Sequence, residues 1–434
     1  MEETMHDSVQ SEREKEEEII NNKIINEEYK TWKKNSVFLY DILLSKALDW
    51  PTLTTQWLPD KQEIPGKPFA RHRLLLGTNT SGQMQNYLQI ADVTIPQPVT
   101  AETLKYNEET EEMGGYGAAK EPITMNIVQR INHPEEINKA RYMPQNPNLI
   151  ATMCSDGRTL FWDRSKHRSE PGPPGKIDFQ MELVGHTDEG FGLNWNSWRE
   201  GILATGTQDC TVRTWDVKSN YTAASKTIAP TNTYTHHSAV VNDVQWHSPH
   251  LLGTVSDDLT FQLLDTRQSH SRAAKISPKN QHSDAINSLA FHPKWDMLFA
   301  TGSADHTVGM WDLRFLARGK THTFRGHEDG VSKVEWSPHH DSILASAAND
   351  RRIVVYDLAR AGMEQTPEEE EDGPPELLFM HGGHTNVISD FSWNKNDPWV
   401  LCSAAEDNLI QVWRPANAIV GTLPPALKRK DVSE

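Results

Sequence analysis

The sequence predicts an all-β fold, a seven-bladed β-propeller with an N-terminal α-helix packed on its side. Three observations predict it. A Trp-Asp-like pair recurs at near-regular spacing, each copy carries a histidine upstream and an aspartate in a tight turn, and short β-rich runs fill the intervals.

The pairs close strand-like runs: Phe161-Trp162-Asp163, Thr214-Trp215-Asp216, Met310-Trp311-Asp312 and Val355-Tyr356-Asp357, with weaker copies at Leu264-Asp265 and Trp413-Arg414. From Trp162 they advance by 53, 49, 47, 45 and 57 residues. The upstream histidines are His133, His186, His237, His282, His327 and His384. The turn aspartates are Asp156, Asp209, Asp257, Asp305, Asp350 and Asp407. This is the WD-repeat signature, near the ~40–45 residue period of a four-stranded blade. In the copy from His282 to Asp312, Asp305 can accept a hydrogen bond from His282, with Ser303 and Trp311 extending the chain. A satisfied polar network of this kind fixes each sheet in one arrangement. These histidines and aspartates therefore read as structural rather than catalytic or metal-binding.

Six copies are clear, and the seventh blade falls to the N-terminal part. Leu53–Leu58, Arg73–Gly77 and Tyr87–Val93 supply its strand-like runs. An open sheet edge is a liability, so the ring is expected to close by an N-terminal strand completing the last blade. The propeller spans about residues 35–415. A length of 434 residues alone suggests two or three domains, and the repeats replace that reading with one ring.

Two segments fall outside the ring. Residues 14–34, within an acidic segment 1–34, read as a helix, because Ile25, Tyr29 and Trp32 share one face at i, i+4 and i+7. The 57-residue interval before Trp413 contains an insertion: Glu364 through Glu371, then Asp372-Gly373-Pro374-Pro375, then Leu377-Leu378-Phe379-Met380. Long loops on rigid scaffolds usually carry function, which marks residues 361–380 as a candidate binding loop. Residues 416–434, with Lys428-Arg429-Lys430, are expected to form a disordered tail.

The charge is −17, from 43 basic and 60 acidic residues. Residues 1–30, 96–121 and 361–376 carry −6, −4 and −7 and account for all of it. That pattern disfavours a nucleic-acid groove, which needs clustered Lys and Arg, and favours a basic partner; solvated acidic tails are the plainer reading. No run is apolar and long enough for a membrane span. Cys154, Cys210 and Cys402 are too scattered for a metal pair or a disulfide framework, which suits a reducing compartment. No catalytic constellation appears. Gly319-Lys320-Thr321 lacks the upstream glycine of a phosphate loop, since position 314 is Arg, and the spacing at Gly114-Gly115-Tyr116-Gly117 is wrong for a dinucleotide turn. The expectation is a non-enzyme with no metal and no cofactor.

Five segments are distinctive: Asn26-Glu27-Glu28-Tyr29-Lys30-Thr31-Trp32-Lys33-Lys34-Asn35, Phe38-Leu39-Tyr40-Asp41, Leu48-Asp49-Trp50-Pro51-Thr52-Leu53-Thr54, Ala140-Arg141-Tyr142-Met143-Pro144-Gln145-Asn146-Pro147 and Glu371-Asp372-Gly373-Pro374-Pro375-Glu376-Leu377-Leu378-Phe379. They closely resemble the retinoblastoma-associated histone-chaperone WD-repeat family, most of all its fungal type B acetyltransferase subunits. The resemblance covers roughly residues 20 to 415. It implies a histone-binding adaptor shared among chromatin complexes: type B histone acetyltransferase, with its catalytic subunit as partner, chromatin assembly factor, Polycomb and deacetylase complexes. It also implies residence in nucleus and cytoplasm.

By that resemblance, a groove between the N-terminal helix and the two-proline loop holds the first helix of histone H4. Phe38, Leu39, Ile42, Phe379 and Met380 would bury its apolar face, Glu368, Glu369 and Asp372 would meet its basic residues, and Gly373 would permit close backbone approach. A histone H3 tail site at the channel mouth maps onto Glu136, Asn138, Glu189, Phe191, Asp257, Asn287 and Glu406. The chain departs from that pattern at Asn242 and Gly330, where relatives place acids, and at Ser332, where they place an aromatic. A different class of function, a substrate receptor of a ubiquitin ligase, draws on Arg267 and Arg314 in Asp-x-Arg settings after two strands. The acidic insert with its apolar strip argues against that as the sole role.

Overall fold

A computed structural model describes residues 2–96, 106–107, 112–113, 123–218, 226–268, 273–279, 281–371 and 373–421. Seven antiparallel sheets form a closed ring. The first strand of each sheet touches the first strand of the next all the way round and so lines a central channel. Blade 1 consists of Thr55–Glu63, Phe69–Gly77, Asn86–Pro96 and Thr124–His133; the runs Arg73–Gly77 and Tyr87–Val93 lie within them, and the first strand begins at Thr55 rather than at Leu53. Blade 2 gains a fifth strand, because Thr227–Ile228 pairs in parallel with its outermost strand Met181–Leu183.

The chain begins in helix α1 (Glu2–Leu39), longer than the expected 14–34. It runs straight into strand β1 (Tyr40–Ala47), which pairs antiparallel with the last strand, Leu409–Pro415. That pairing is the expected closure, made by the strand immediately after the helix. Beyond the last strand the chain stays ordered through the described residues. Ala416 N donates to Leu39 O and Asn417 N to an Asp41 carboxylate oxygen. A short helix, Asn417–Val420, buries Val420. Residues 416–421 thus belong to the ring; the Lys428–Lys430 cluster lies outside the described residues.

In six of the seven blades the expected histidine bonds a buried strand hydroxyl, with corrections to its other partners. His282 Nδ1 donates to Asp305 at 2.9 Å, its Nε2 meets Thr301 Oγ1 at 2.8 Å, and Trp311 Nε1 donates to the same hydroxyl at 2.7 Å. Thr301, not Ser303, is therefore the bridging hydroxyl. Ser303 instead donates to Asp284 O and caps the turn at Asp305 N. His186 repeats the pattern with Asp209 and Thr205, and His327 with Asp350 and Ser346. His237 reaches Asp258, not Asp257. The turn there is one residue out of step, leaving Asp257 on the surface. His133 uses a backbone carbonyl, Glu135 O, while Asp156 pairs with Arg158. Asp407 takes hydrogen bonds from Thr385 rather than from His384.

A second network runs around the channel. At six joints an inner-strand side chain accepts a backbone N–H from the neighbouring blade: Gln56 from Tyr142, Asn194 from Trp246, Gln245 from Phe291, Ser288 from Val334, Glu335 from Trp393 and Ser392 from Trp57. At the seventh, Trp195 Nε1 donates to Arg141 O. Every joint between blades is therefore bonded as well as packed.

Candidate functional site

Helix α1 lies on the ring through one narrow face. Ile25, Tyr29 and Trp32 are half-buried and Ser36 is buried, while the helix around them is exposed. Trp32 is the anchor. Its Nε1 donates to Tyr40 Oη at 2.9 Å, and that hydroxyl meets His381 Nδ1 at 2.8 Å. His381 stacks on Trp413 with centroids 4.3 Å apart. The indole sits where Gly383 lacks a side chain, since a Cβ there would come within 2.7 Å of it. Burial drives the His381 imidazole well below its usual pKa, so the anchor is neutral. Glu28 adds an outer clasp, 3.1 Å from Arg351.

The C-terminal end of α1 meets the Leu377–His381 strand, the outer edge of blade 6. Tyr40 and Phe379 lie edge-to-face at 5.5 Å, and Leu39 and Leu378 flank the same apolar cluster. The strand carries a bulge here: Val355 pairs with Phe379 and Tyr356 with Leu377. The extra residue turns Leu378 toward the α1 side with Phe379, while Leu377 and Met380 pack on the cluster shared by blades 5 and 6.

This geometry corrects part of the expected groove. Phe379 is 5% exposed and Ile42 is 2% exposed, and both are core residues between blades. A docking helix would not reach them. Phe38 is 55% exposed at the foot of α1, Leu39 is half-buried beside it, and Met380 is half-buried. Leu378, named in the apolar strip but not as a groove residue, packs with Leu39 on the α1 side because the bulge breaks strand alternation. Met363, 59% exposed at the start of the acidic insert, carries no periodic signal in the sequence.

The insert is ordered by local bonds. Thr366 caps a one-turn helix, α2 (Pro367–Glu371). Thr366 Oγ1 accepts from Glu369 N, and Thr366 N donates to the Glu369 carboxylate at 2.8 Å, a reciprocal capping box. These bonds hold Glu369 below the usual carboxylate pKa. Glu369 is thus committed to the loop, and Glu368 is exposed with no such tie among the described residues. Asp372 lies outside the described residues. Gly373 has φ +117°, a conformation that disfavours side chains, and accepts from Gln365 Nε2 at 3.0 Å. Among the described residues only Leu377 would touch a Cβ there, so the space beside the glycine is otherwise open on this chain's side.

Of the expected mouth residues, Phe191, Asn287 and Glu406 line a channel cavity of about 760 Å³; Glu136, Asn138 and Glu189 lie at or just before the starts of inner strands, and Asp257 follows the second strand of its blade. Several are already engaged. Asn138 Nδ2 donates to Glu189, Asn242 Nδ2 to Asp257, Asn287 Nδ2 to Val331 O and Gly82 N to Glu136. Ser332 turns its hydroxyl into the wall, onto Ala347 O and Ile388 O. Phe191 and Glu406 stay exposed. Deeper in, Lys333, Arg141 and Lys139 lie 2.7, 3.1 and 3.9 Å from Asp390, a cluster the sequence reading missed. Burial opposes the Asp390 charge, but the three cations win and hold it well below the usual range. Burial likewise lowers Lys139 to about 8. Among the described residues no group of three or more His, Cys, Asp or Glu could hold a metal. The cysteines are unbonded, and burial pushes Cys402 up to about 12, far from a reactive thiolate. Arg267 and Arg314 fold back onto Asp265 and Asp312.

A closed seven-bladed ring with a helix anchored on its side, and no metal-type cluster among the described residues, defines a WD-repeat scaffold. Residues 27–97 match the family described as histone-binding protein RBBP4 or a CAF1 complex component. Residues 275–312, 318–357 and 375–414 match the WD domain, G-beta repeat. The histone acetyltransferase type B subunit 2 of Aspergillus oryzae is 59% identical over 405 residues, 92% of each chain. That of Neurospora crassa is 52% identical over 419 residues, 95% of this chain and 93% of its own. That of Gibberella zeae is 53% identical over 403 residues, 92% and 91%. The chain belongs to the histone acetyltransferase type B subunit 2 family of histone-binding WD-repeat proteins.

Proposed function

We propose that this protein is the histone-binding regulatory subunit of a type B histone acetyltransferase. In this reading it holds the first helix of histone H4 between α1 and the 361–380 loop. The observation that carries it is the exposed Phe38 at the foot of α1, next to Leu39, which packs with Leu378 on one apolar cluster, together with the exposed Glu368 carboxylate of the inserted loop. A basic amphipathic helix complements such a surface: burying large apolar side chains gives affinity, and the carboxylates speed association. The protein transfers no acetyl group itself and depends on a catalytic partner subunit. It works in both nucleus and cytoplasm.

The test is titration of an H4 first-helix peptide at several salt concentrations. Phe38→Ala should weaken binding about tenfold or more at every salt concentration, as loss of a central apolar anchor does. Glu368→Gln should lose less affinity and flatten the salt dependence. Phe379→Ala should instead destabilise the ring, by about 3–5 kcal/mol for a buried phenylalanine. Wild-type affinity in a folded Phe38→Ala protein would sink the groove.

The channel mouth supports a weaker, second contact with the H3 tail. Glu189, Asp257 and Glu406 offer carboxylates to a basic side chain, and exposed Phe191 offers one aromatic face where Ser332 offers none.

A further inference from the structure

The chain contains four Ser-Pro or Thr-Pro pairs, at Ser248, Ser277, Ser337 and Thr366. Three are structural. Ser277 is 4% exposed and its Oγ accepts from Phe261 N, while Ser337 is 1% exposed and accepts from His339 N and His340 N. Ser248 is half-buried and accepts from Leu251 N within a tight turn. Thr366 alone is exposed, and it stands on the inserted loop rather than in a blade. Its Oγ1 accepts from Glu369 N, and its hydroxyl also hydrogen-bonds the Glu369 carboxylate, itself an exposed group that can turn away. Glu368 through Glu371 follow at the second to fifth positions after it, all exposed.

We propose that Thr366 is a phosphorylation site, and that its phosphate strengthens the acidic side of the histone groove; the second half rests on the groove reading above. In the transfer the Thr366 hydroxyl oxygen attacks the γ-phosphorus of ATP, the bond to the bridging oxygen breaks, ADP leaves, and the hydroxyl proton passes to the kinase base. The enzyme required is a serine/threonine kinase directed by proline at the next position or by acids downstream. Access is cheap in structural terms. α2 is a single turn held by its capping box, and so short a helix has little stability of its own, so the segment can extend into a kinase cleft.

The consequences follow from charge. The phosphate brings about −1.5 to −2 at neutral pH and three acceptor oxygens. It competes with the Glu369 carboxylate for Thr366 N, and repulsion turns Glu369 outward beside Glu368. The loop then offers histone Arg and Lys a phosphate and the freed Glu369 carboxylate in addition to the exposed Glu368, Glu370 and Glu371.

The experiment treats the purified full chain with ATP and a proline-directed kinase, or in a second arm an acid-directed kinase. Mass spectrometry locates the phosphate, and both forms are titrated with the H4 first-helix peptide at low and high salt. The expected result is incorporation at Thr366 and not at Ser277 or Ser337, none in Thr366→Ala, and binding about three- to tenfold tighter at low salt, the difference shrinking as salt screens it. An unmodified Thr366 in a chain that binds the peptide overturns the site alone. Full modification with unchanged affinity overturns its role. A parent chain that does not bind the peptide overturns the groove, and with it the regulatory half, while the mass spectrum still decides the site.

Discussion

At the scale of single residues, the bracing network ties stability to pH. Burial raises the Asp258 pKa, but the hydrogen bonds from His237, Thr260 and Ser238 N prevail and hold it at about 2. An unfolded aspartate titrates near ~3.9. The folded value is the lower one, so the ionised carboxylate stabilises the ring at every pH above ~4, and that contribution is lost as pH falls toward 2. Asp258→Asn should therefore cost about 1.5–3 kcal/mol near neutrality, the range for hydrogen bonds to a charged group. The gap between variant and parent should close in acid. Denaturant melts at pH 7 and pH 3 measure this; an equal gap at both would mean that charge plays no part. The same residue marks a limit of sequence reading. Asp257 and Asp258 are adjacent and both acidic, and only the turn geometry decides which one reaches His237. Thr301 and Ser303 pose the same choice: two hydroxyls two apart point to the same face of a strand, and only the backbone path beyond the sheet separates them.

At the scale of elements, α1 and the inserted loop were legible because each breaks a pattern: the helix by its period, the loop by lengthening one repeat interval. Their contents were less so. The helix stripe of Ile25, Tyr29 and Trp32 meets the ring as expected. The apolar strip after the two prolines divides unexpectedly, because the bulge sends Leu378 with Phe379 and Met380 the other way. A continuous apolar run cannot reveal which residues a bulge displaces. The anchor of α1 yields its own prediction. Trp32→Ala removes the donor to Tyr40 and the contact over Gly383. Amide exchange along residues 25–36 should then accelerate by at least about tenfold, with the strands of blade 3 unchanged, since sub-global openings depend on local contacts. Slow exchange in α1 of the variant would show that Glu28 and the remaining stripe hold the helix unaided.

At the scale of the whole molecule, the repeat count and the closure were both readable, because seven blades and a sealed edge follow from spacing and from the cost of an unpaired strand. The continuous hydrogen bonding around the channel was not. Gln56, Asn194, Gln245, Ser288, Glu335 and Ser392 span four residue types and share only a position on the inner strand. Because every joint is bonded, the ring should unfold as one unit. Calorimetry should show a single transition, unaffected by a chain starting at residue 19. A chain starting at residue 48, which lacks β1, should melt at least about 10 °C lower or aggregate through the bared Leu409–Pro415 edge. A second, separate transition in the parent would contradict the single ring.

The pairing of β1 with Leu409–Pro415 also sets an order of events during synthesis. The ribosome releases residues 40–47 early, and their strand partner only after more than 360 further residues have emerged. Until then helix α1 is tethered to an unpaired strand, and the 361–380 loop itself emerges more than 300 residues after that strand. A nascent or truncated chain therefore has no assembled surface to offer a histone, and a basic client meets this scaffold only after the circle is shut. Histone capture would in that way report on the integrity of the whole polypeptide.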